Sequence, residues 1–341
     1  MPQPAMPQPA MSPPSTPRST APQPPVARLR ALRSVELLTP DFAEATDFYE
    51  EAWGLEVVES GHSGSWLRGT GEEHHALQLT RADRIGLGRL SFAVGTPAEI
   101  DEAARRLEAR GITPLTGPGA LDQAGGGYGL RFHDHEGRLI ELSADTWAVP
   151  PRGRDAAVPV GVTHAVLNTT DIDASVAFYT DVLGMRVSDW SEHQMAFLRC
   201  NADHHCIAFN QAPWVSLNHV AYEMSSVDHF MRGLGRLRHH GITPQWGPGR
   251  HGPGNNTFSY FTDPTGLVCE YTSEVAQVVE DRWICKVWRR VPELSDLWGT
   301  AGPPSPLIRA HMAGTADGSR VQVPAAGVPV QAPVDAEGVH A

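Results

Sequence analysis

The strongest constraint on the fold of this chain is an internal repeat. Four pairs of segments resemble one another at a nearly constant spacing of 129 or 130 residues. The pairs are VELLTPDFAEATDFYEEAWGLEVVES with HAVLNTTDIDASVAFYTDVLGMRVSD, His74-His75 with His204-His205, GITPLTGPG with GITPQWGPG, and RFHDHEGRLIEL with YFTDPTGLVCEY. Because four matches in register are not chance, the middle of the chain contains two copies of one unit.

Each copy divides again into two smaller units. Every smaller unit opens with a strand and a helix, and short alternating strands separated by Gly, Asp-Pro and Asn turns follow. The helices in TPAEIDEAARRLEARG (96–111) and SSVDHFMRGLGRLRHHG (225–241) begin at Ser or Thr near an acid and end at Gly. The pattern predicts an α+β fold of two domains, each of two paired βαβββ modules, because such half-open units bury an apolar face by pairing their sheets.

Composition indicates where the domains begin and end. Residues 1–27 are rich in Pro, Ala, Gln and Ser and cannot bury enough surface to fold, so we expect a disordered tail. We expect an N-terminal domain at 28–150 and a C-terminal domain at 151–299, with 280–299 crossing the mouth of the site as a lid. Residues 300–341, rich in Gly, Ala and Pro, are expected to form a flexible tail.

Charge and cysteine content exclude several classes of protein. The net charge is −12 at pH 7, which argues against nucleic-acid binding because neutralising phosphates requires a surplus of Lys and Arg. There is no run of about 18 apolar residues, so we expect no membrane span. The four cysteines form no CxxC pair and fit no common zinc knuckle, which favours a reduced, cytoplasmic protein.

Two histidines and one glutamate of the second copy are candidate metal ligands. His164 in VTHAVLN, His219 in LNHVAYE and Glu270 in LVCEYTS lie on strands at equivalent places in the paired modules. Two imidazoles and one carboxylate form the facial triad that suits non-haem Fe(II) and leaves coordination positions open. A histidine or glutamate on a strand is more often a packed or solvated residue than a ligand, so this pattern alone does not establish a metal site.

Comparison with the first copy favours the metal site. The matched positions there are Ser34, Arg89 and Glu141, so both imidazoles are missing from that copy. Since the fold does not require histidine at these positions, the presence of histidine in one copy indicates that these residues have a function there. We therefore predict a metal site in the C-terminal domain and none in the N-terminal domain.

Four stretches of the second copy carry a family resemblance. They are THAVLNTTD, LRCNADHHCIAF, LNHVAYE and RHGPGNNTFSYFTDPTGLVCEY. With them, residues 28–299 resemble type I extradiol dioxygenases, of the catechol 2,3-dioxygenase and 2,3-dihydroxybiphenyl dioxygenase kind, in the vicinal oxygen chelate (glyoxalase/bleomycin resistance/dioxygenase) superfamily. The last stretch is similar to the family signature of His, Tyr, Asp-Pro and Glu, except that Ser259 stands where an apolar residue is preferred.

The resemblance implies an oxidoreductase that opens an aromatic ring. It implies Fe(II), or less often Mn(II), held by His164, His219 and Glu270, with a catecholic small molecule and O2 as substrates. The ring would open beside the diol to give a muconic-semialdehyde-type product that incorporates both oxygen atoms, as in aromatic compound degradation. The family also implies a homo-oligomer.

The adjacent histidines are expected to differ in role. Successive side chains on a strand point to opposite faces, so only one of the two can serve a pocket from that strand. His205 matches the family's acid–base histidine, because HCIAF fits the pattern and HHCIA does not. We expect His205 to share a strand face with Ile207 and Phe209, and His204 to face away from the metal.

Two further residues are implied to act on the substrate. Tyr260 would hydrogen-bond the ionised catechol oxygen. His251 would contact the other substrate oxygen or the loop over it, although a histidine in a Gly/Pro loop can also be a solvent-exposed residue.

The lid sequence bears on the substrate class. Family members that accept a carboxylate-bearing catechol have an arginine pair just before the Trp-Gly of the lid, where Leu294 and Ser295 stand here. Arg289 and Arg290 lie several residues earlier, so we expect no acidic side chain on the substrate. The other candidate lining residues are apolar, which suits an alkyl-, aryl- or fused-ring catechol, although they could equally be core residues: Met195, Phe197, Trp190 and Trp246.

Two other functions are compatible with this fold. Glyoxalase-like isomerases and epoxide-opening resistance enzymes often carry a second glutamate in place of one imidazole, and His164 argues against them. A metal-free binding protein of the drug-sequestering type would fit the N-terminal domain but not the C-terminal domain.

Overall fold

The structure, a computed structural model, describes residues 23–153 and 157–314. In the first half, the helix α1 continues directly into a π-helical turn at Phe48–Ala52. The elements of this half are β1 (Ala31–Thr39), α1 (Phe42–Asp47), β2 (Glu56–Ser60), β3 (Gly64–Arg68), β4 (Leu77–Arg81), β5 (Gly86–Ala93), α2 (Pro97–Ala109), β6 (Thr116–Ala120), β7 (Tyr128–His133) and β8 (Leu139–Ala144).

The second half repeats this order and adds three elements at its end. Short 3-10 turns lie at Pro253–Asn255 and Glu280–Arg282. The elements are β9 (Val162–Thr169), α3 (Ile172–Asp181), β10 (Arg186–Ser191), β11 (Met195–Arg199), β12 (Ile207–Gln211), β13 (Ser216–Glu223), α4 (Val227–His239), β14 (Trp246–Arg250), β15 (Thr257–Thr262), β16 (Val268–Ser273), β17 (Lys286–Trp288), α5 (Pro292–Ser295) and α6 (Pro306–Met312). Among the described residues, no helix has the length and apolar character needed to span a membrane.

Each half forms one mixed sheet. The strand order is β2-β3-β4-β1-β5-β8-β7-β6 in the first half and β14-β15-β16-β13-β9-β12-β11-β10-β17 in the second. Within every module the first strand pairs in parallel with the fourth: β1 with β4, β5 with β8, β9 with β12, and β13 with β16. The modules of a sheet meet through the antiparallel pairs β1–β5 and β9–β13. The predicted α+β fold of paired βαβββ modules is confirmed.

The long helices α2 and α4 begin as the sequence predicts. The Thr96 hydroxyl accepts a hydrogen bond from the backbone N–H of Glu99, and Ser226 caps α4 in the same way. Each helix is followed by a glycine in the left-handed region, Gly111 and Gly241, where a side chain would be strained. Both helices therefore stop where the chain must turn back toward the sheet.

The two halves share one buried apolar core. Trp53, at the end of the π-helical turn, is fully buried and packs on Tyr271 of β16 with ring centroids 4.0 Å apart. The Tyr49 hydroxyl donates to Asp263 of the second half at 3.2 Å. The matched bond from Tyr179 to Asp134 of the first half has the same length. The junction between the predicted domains is thus packed symmetrically from both sides.

The predicted tails are wrong at their inner ends. Val26 and Ala27 are buried, and the backbone N–H of Val26 donates to Val182. At the other end, α6 lies within the predicted flexible tail, and Ile308 is fully buried against β15 and β16. The average composition of residues 300–341 gave no indication of this short helix, in which Ile308 covers an apolar patch of the sheet. The remaining tail predictions, for 1–22 and 315–341, fall outside the described residues.

Candidate metal centre

Three neighbouring strands bring the predicted ligands together. His164 lies on β9, His219 on β13 and Glu270 on β16, and β13 lies between the other two strands. A bulge in β13 between Leu217 and His219 shifts the register, so that His219 pairs with Val166 of β9. One ligand atom from each of the three residues lies within 4.8 Å of the others, and all three side chains are buried.

The polar atoms of this cluster lack ordinary partners. Nε2 of His164 and Nε2 of His219 approach the same Glu270 oxygen at 3.3 and 3.1 Å. Among the described residues, however, neither Glu270 oxygen nor Nε2 of His219 has a hydrogen-bond partner. A fully buried carboxylate without partners is costly, and a cation at the centre would remove that cost. The residues present therefore fit a divalent metal of the kind that two imidazoles and one carboxylate bind.

Neighbouring groups hold these side chains in the protonation states of metal ligands. Nδ1 of His219 lies 2.8 Å from the Asn218 side-chain oxygen, which can hold the ring proton there when Nε2 ligates a metal. Burial lowers the pKa of His219, so its ring is neutral at pH 7. Burial also acts to raise the pKa of Glu270, but the two imidazoles hold it at about 2. A neutral imidazole and an ionised carboxylate are the forms that bind metals.

The cluster opens onto a cavity of about 870 Å³. Met195, Phe197 and Trp246 line it, as predicted for apolar candidates, whereas Trp190 stacks on His193 and is not among the lining residues. The predicted lid residues 289–296 also line the cavity. This volume falls in the range of sites that enclose a drug-sized ligand, which is more than a single ring requires.

His205 lines the cavity, and its ring lies 4.3 Å from that of His164 between centroids. The expected strand face is wrong, since Ile207 and Phe209 belong to the main core on the other side of the sheet. The physical reason is that β12 begins only at Ile207, so strand alternation does not extend back to His205. His204 is fully buried and is not among the cavity residues.

Tyr260 and His251 form a hydrogen-bonded pair at the cavity wall. Nδ1 of His251 lies 2.9 Å from the Ser295 carbonyl, to which it donates, so Nε2 accepts from the Tyr260 hydroxyl at 2.9 Å. The Tyr260 ring stacks on Trp246 and meets the His219 ring edge to face. Burial, with Glu270 nearby, raises the pKa of Tyr260 well above its usual value, which keeps its hydroxyl protonated. His251 thereby joins Tyr260 to the lid.

The sequence missed three residues of this site. Asn218 orients His219, and Asn210 and Arg309 line the cavity. The signal for Asn218 was its position next to a predicted ligand, whereas Arg309 lay in a segment expected to be flexible.

In the first half, a guanidinium lies where the second half has a candidate ligand histidine. Arg89 lies 3.5 Å from Glu141, and Arg131 lies 2.8 Å from the same oxygen. The Ser91 hydroxyl donates to the other oxygen at 2.8 Å. Glu141 is therefore satisfied by protein groups, and within the described residues the only cluster with metal-ligand spacing is the one in the second half.

Fold and site together define a protein of paired βαβββ modules with a candidate two-histidine, one-carboxylate metal site beside a large cavity. The family model of the Glyoxalase/Bleomycin resistance protein/Dioxygenase superfamily matches residues 31–142 and 161–271. The chain belongs to this superfamily, which confirms the predicted superfamily.

Named relatives divide between dioxygenases and a glyoxalase. Metapyrocatechase 2 of Cupriavidus necator is 28% identical over 74% of this chain and 85% of its own length. An iron-dependent extradiol dioxygenase of Rhodococcus jostii is 28% identical over 75% and 93%. The crystal structure of an Mn(II)-bound glyoxalase from Novosphingobium aromaticivorans is 41% identical, with a TM-score of 0.79 over 82% of this chain and 94% of that one.

Proposed function

We propose that this protein is a non-haem Fe(II)-dependent extradiol dioxygenase that cleaves a catecholic ring beside the diol with O2. The main observation behind this proposal is the buried cluster of His164, His219 and Glu270. Its unpartnered atoms border a cavity that His205 and Tyr260 also line. Iron is supported by the iron-dependent relative, and Mn(II) is the alternative because the glyoxalase structure contains it. The homo-oligomeric state and the cytoplasmic location stay predictions.

The proposed roles follow from the protonation states of the side chains. When bound, the metal would stabilise negative charge on the two catechol oxygens and bring the substrate and dioxygen together. Burial and the His164 ring lower the pKa of His205 well below its usual value, so His205 is neutral and can accept a proton. Tyr260 stays protonated, and on substrate binding it would redirect its single hydroxyl proton from Nε2 of His251 to an ionised catechol oxygen.

The cavity supports a substituted catechol as substrate. Its apolar wall of Met195, Phe197 and Trp246 suits an alkyl, aryl or fused-ring substituent. The rim carries the exposed side chains of Arg289, Arg290 and Arg309, which can tolerate a polar or anionic group at the outer end of the substituent. The expectation that the substrate has no acidic side chain is thus a prediction for the inner cavity only.

The second candidate is isomerisation of the glyoxalase type. It is favoured by the name of the relative that is 41% identical. Glyoxalase chemistry needs a metal and a base but consumes no oxygen. Oxygen consumption therefore distinguishes the two candidate functions, whatever the affinity for the substrate.

The test is anaerobic reconstitution with Fe(II), and in parallel with Mn(II), followed by a panel of substituted catechols in air. We expect a yellow ring-fission product and one O2 consumed per catechol, and we expect both to disappear in His219→Ala. Metal binding with no oxygen uptake, together with isomerisation of the methylglyoxal–glutathione hemithioacetal, would establish the second candidate. If the chain binds no metal and His219→Ala changes nothing, the protein is a metal-free binding module.

A further inference from the structure

A chain of buried polar groups lies behind His205. Nδ1 of His205 is 3.0 Å from Nδ1 of His204, and Nε2 of His204 is 3.1 Å from Oδ2 of Asp189. Asp189, on β10, is 1% exposed, and Nε2 of His204 has no other partner among the described residues. The chain therefore runs from a buried carboxylate to the cavity.

The direction of the protons along this chain follows from the carboxylate. An ionised carboxylate only accepts hydrogen bonds, so Nε2 of His204 must carry a proton. An imidazole whose one proton is on Nε2 has a lone pair on Nδ1, to which His205 donates from its own Nδ1. That assignment leaves Nε2 of His205 unprotonated, and His205 lines the cavity.

Asp189 is held as a carboxylate by the lid. It accepts hydrogen bonds from the backbone N–H of Lys286 at 2.8 Å and from the Trp288 indole at 2.7 Å, both on β17. Burial acts to raise the pKa of Asp189, but these donors and His204 hold it below its usual value. The group that orients His204 is thus fixed by the lid strand.

The first half contains the same histidine pair without this carboxylate. His74 and His75 approach Nδ1 to Nδ1 at 3.2 Å, much as His204 and His205 do. The position matched to Asp189 is Glu59, whose side chain is exposed. A buried carboxylate therefore accompanies the pair only in the half with the candidate metal ligands.

We propose that Asp189 and His204 are positioning residues that fix the tautomer of His205, with the proton on Nδ1 and a free lone pair on Nε2 in the cavity. The consequence for turnover rests on the proposed function, in which His205 accepts a proton from the substrate. The tautomer itself does not rest on it.

Nuclear magnetic resonance of the full chain, labelled with 15N-histidine and loaded with diamagnetic Zn(II), tests the tautomer directly. His205 signals are assigned by their loss in His205→Gln. We expect the proton on Nδ1 of His205 in the unaltered protein, and a shift toward Nε2 in Asp189→Asn, because the amide can donate to His204 and reverse the chain. Trp288→Phe is the control: it removes one lid bond to Asp189 but keeps the bond from the Lys286 backbone N–H and every member of the chain, so the tautomer should stay unchanged.

The unaltered protein alone can overturn the proposal: a proton on Nε2 of His205 contradicts it, whether or not any variant folds. An unchanged tautomer in Asp189→Asn contradicts it as well. In the Fe(II)-loaded enzyme, Asp189→Asn should lower kcat about 10²-fold, the lower end for general acid–base catalysis, with KM and metal content within about threefold. A shifted tautomer with unchanged kcat would support the positioning but remove His205 from the proposed mechanism.

Discussion

His204 and His205 are adjacent and both buried, yet they contact different surroundings. His205 faces the cavity beside His164, while His204 lies between Asp189 and the Trp283 ring. One residue of the pair can therefore reach a substrate and the other can act only through its neighbour.

This difference predicts unequal losses of activity. His205→Ala removes the group proposed to move a proton and should lower kcat by about 10² to 10⁴-fold. His204→Ala removes only the orienting contact and should retain clearly more activity. Steady-state oxygen uptake with a catechol measures both, and metal content measured on the same samples should be unchanged because neither residue belongs to the ligand cluster. Equal losses in the two variants would contradict the assignment.

The sequence pointed to the candidate metal ligands because the duplication supplied an internal reference. Ser34 and Arg89 showed that the fold tolerates other residues where the second half has histidine. The sequence-based prediction of the strand face of His205 was wrong, because the residue at which a strand begins depends on tertiary pairing rather than on local alternation. No local sequence pattern pointed to Asp189, because its proposed role depends on contacts with Trp288 and His204, which lie on other segments of the chain.

At the scale of the elements, the turns between the last two strands of each half differ in their charges. In the first half, Asp134 forms a fully buried ion pair with Arg138 at 2.9 Å. In the second half, Asp263 caps the matched turn by accepting from Thr265 and Leu267, and Leu267 stands where the first half has the arginine. Without a cation, burial raises the pKa of Asp263 to about 6.

A raised pKa in the folded state means that the folded protein favours the protonated form. The contribution of Asp263 is therefore fully present below its unfolded pKa of about 4 and is lost as the pH rises through about 6. Relative to the unaltered protein, Asp263→Asn should gain up to about 3 kcal/mol in the free energy of unfolding between pH 4 and pH 7.5. Urea unfolding at several pH values measures this, and the exposed Asp122→Asn should show no such trend. A constant difference across the range would contradict the prediction.

The helix α6 offers a second test at this scale. Ile308 is fully buried on the sheet, whereas its neighbour Leu307 is 57% exposed. Ile308→Ala should lower the free energy of unfolding by about 2 to 4 kcal/mol, because it removes a packed side chain and leaves a cavity. Leu307→Ala should change it by less than about 0.5 kcal/mol. Similar small effects in both variants would show that α6 does not pack on the sheet in solution.

Across the whole molecule, the two halves differ in how they compensate the charge of an equivalent buried glutamate. Each sheet buries a glutamate at the equivalent place, Glu141 in the first half and Glu270 in the second. Guanidinium groups compensate Glu141, and a metal is proposed to compensate Glu270. The halves share one core, so the first half supports the second even though it has no metal cluster among its described residues.

This asymmetry predicts one metal ion per chain, and the duplication provides matched variants to test it. His219→Ala should reduce the bound metal from about one to nearly zero, since it removes a ligand. Arg89→Ala, at the equivalent position, should leave metal content at one but lower the free energy of unfolding by about 2 to 4 kcal/mol, because Arg131 remains to pair with Glu141. Elemental analysis and urea unfolding of both variants measure the two effects. A second equivalent of metal in the unaltered protein, or loss of metal in Arg89→Ala, would contradict the division of roles between the halves.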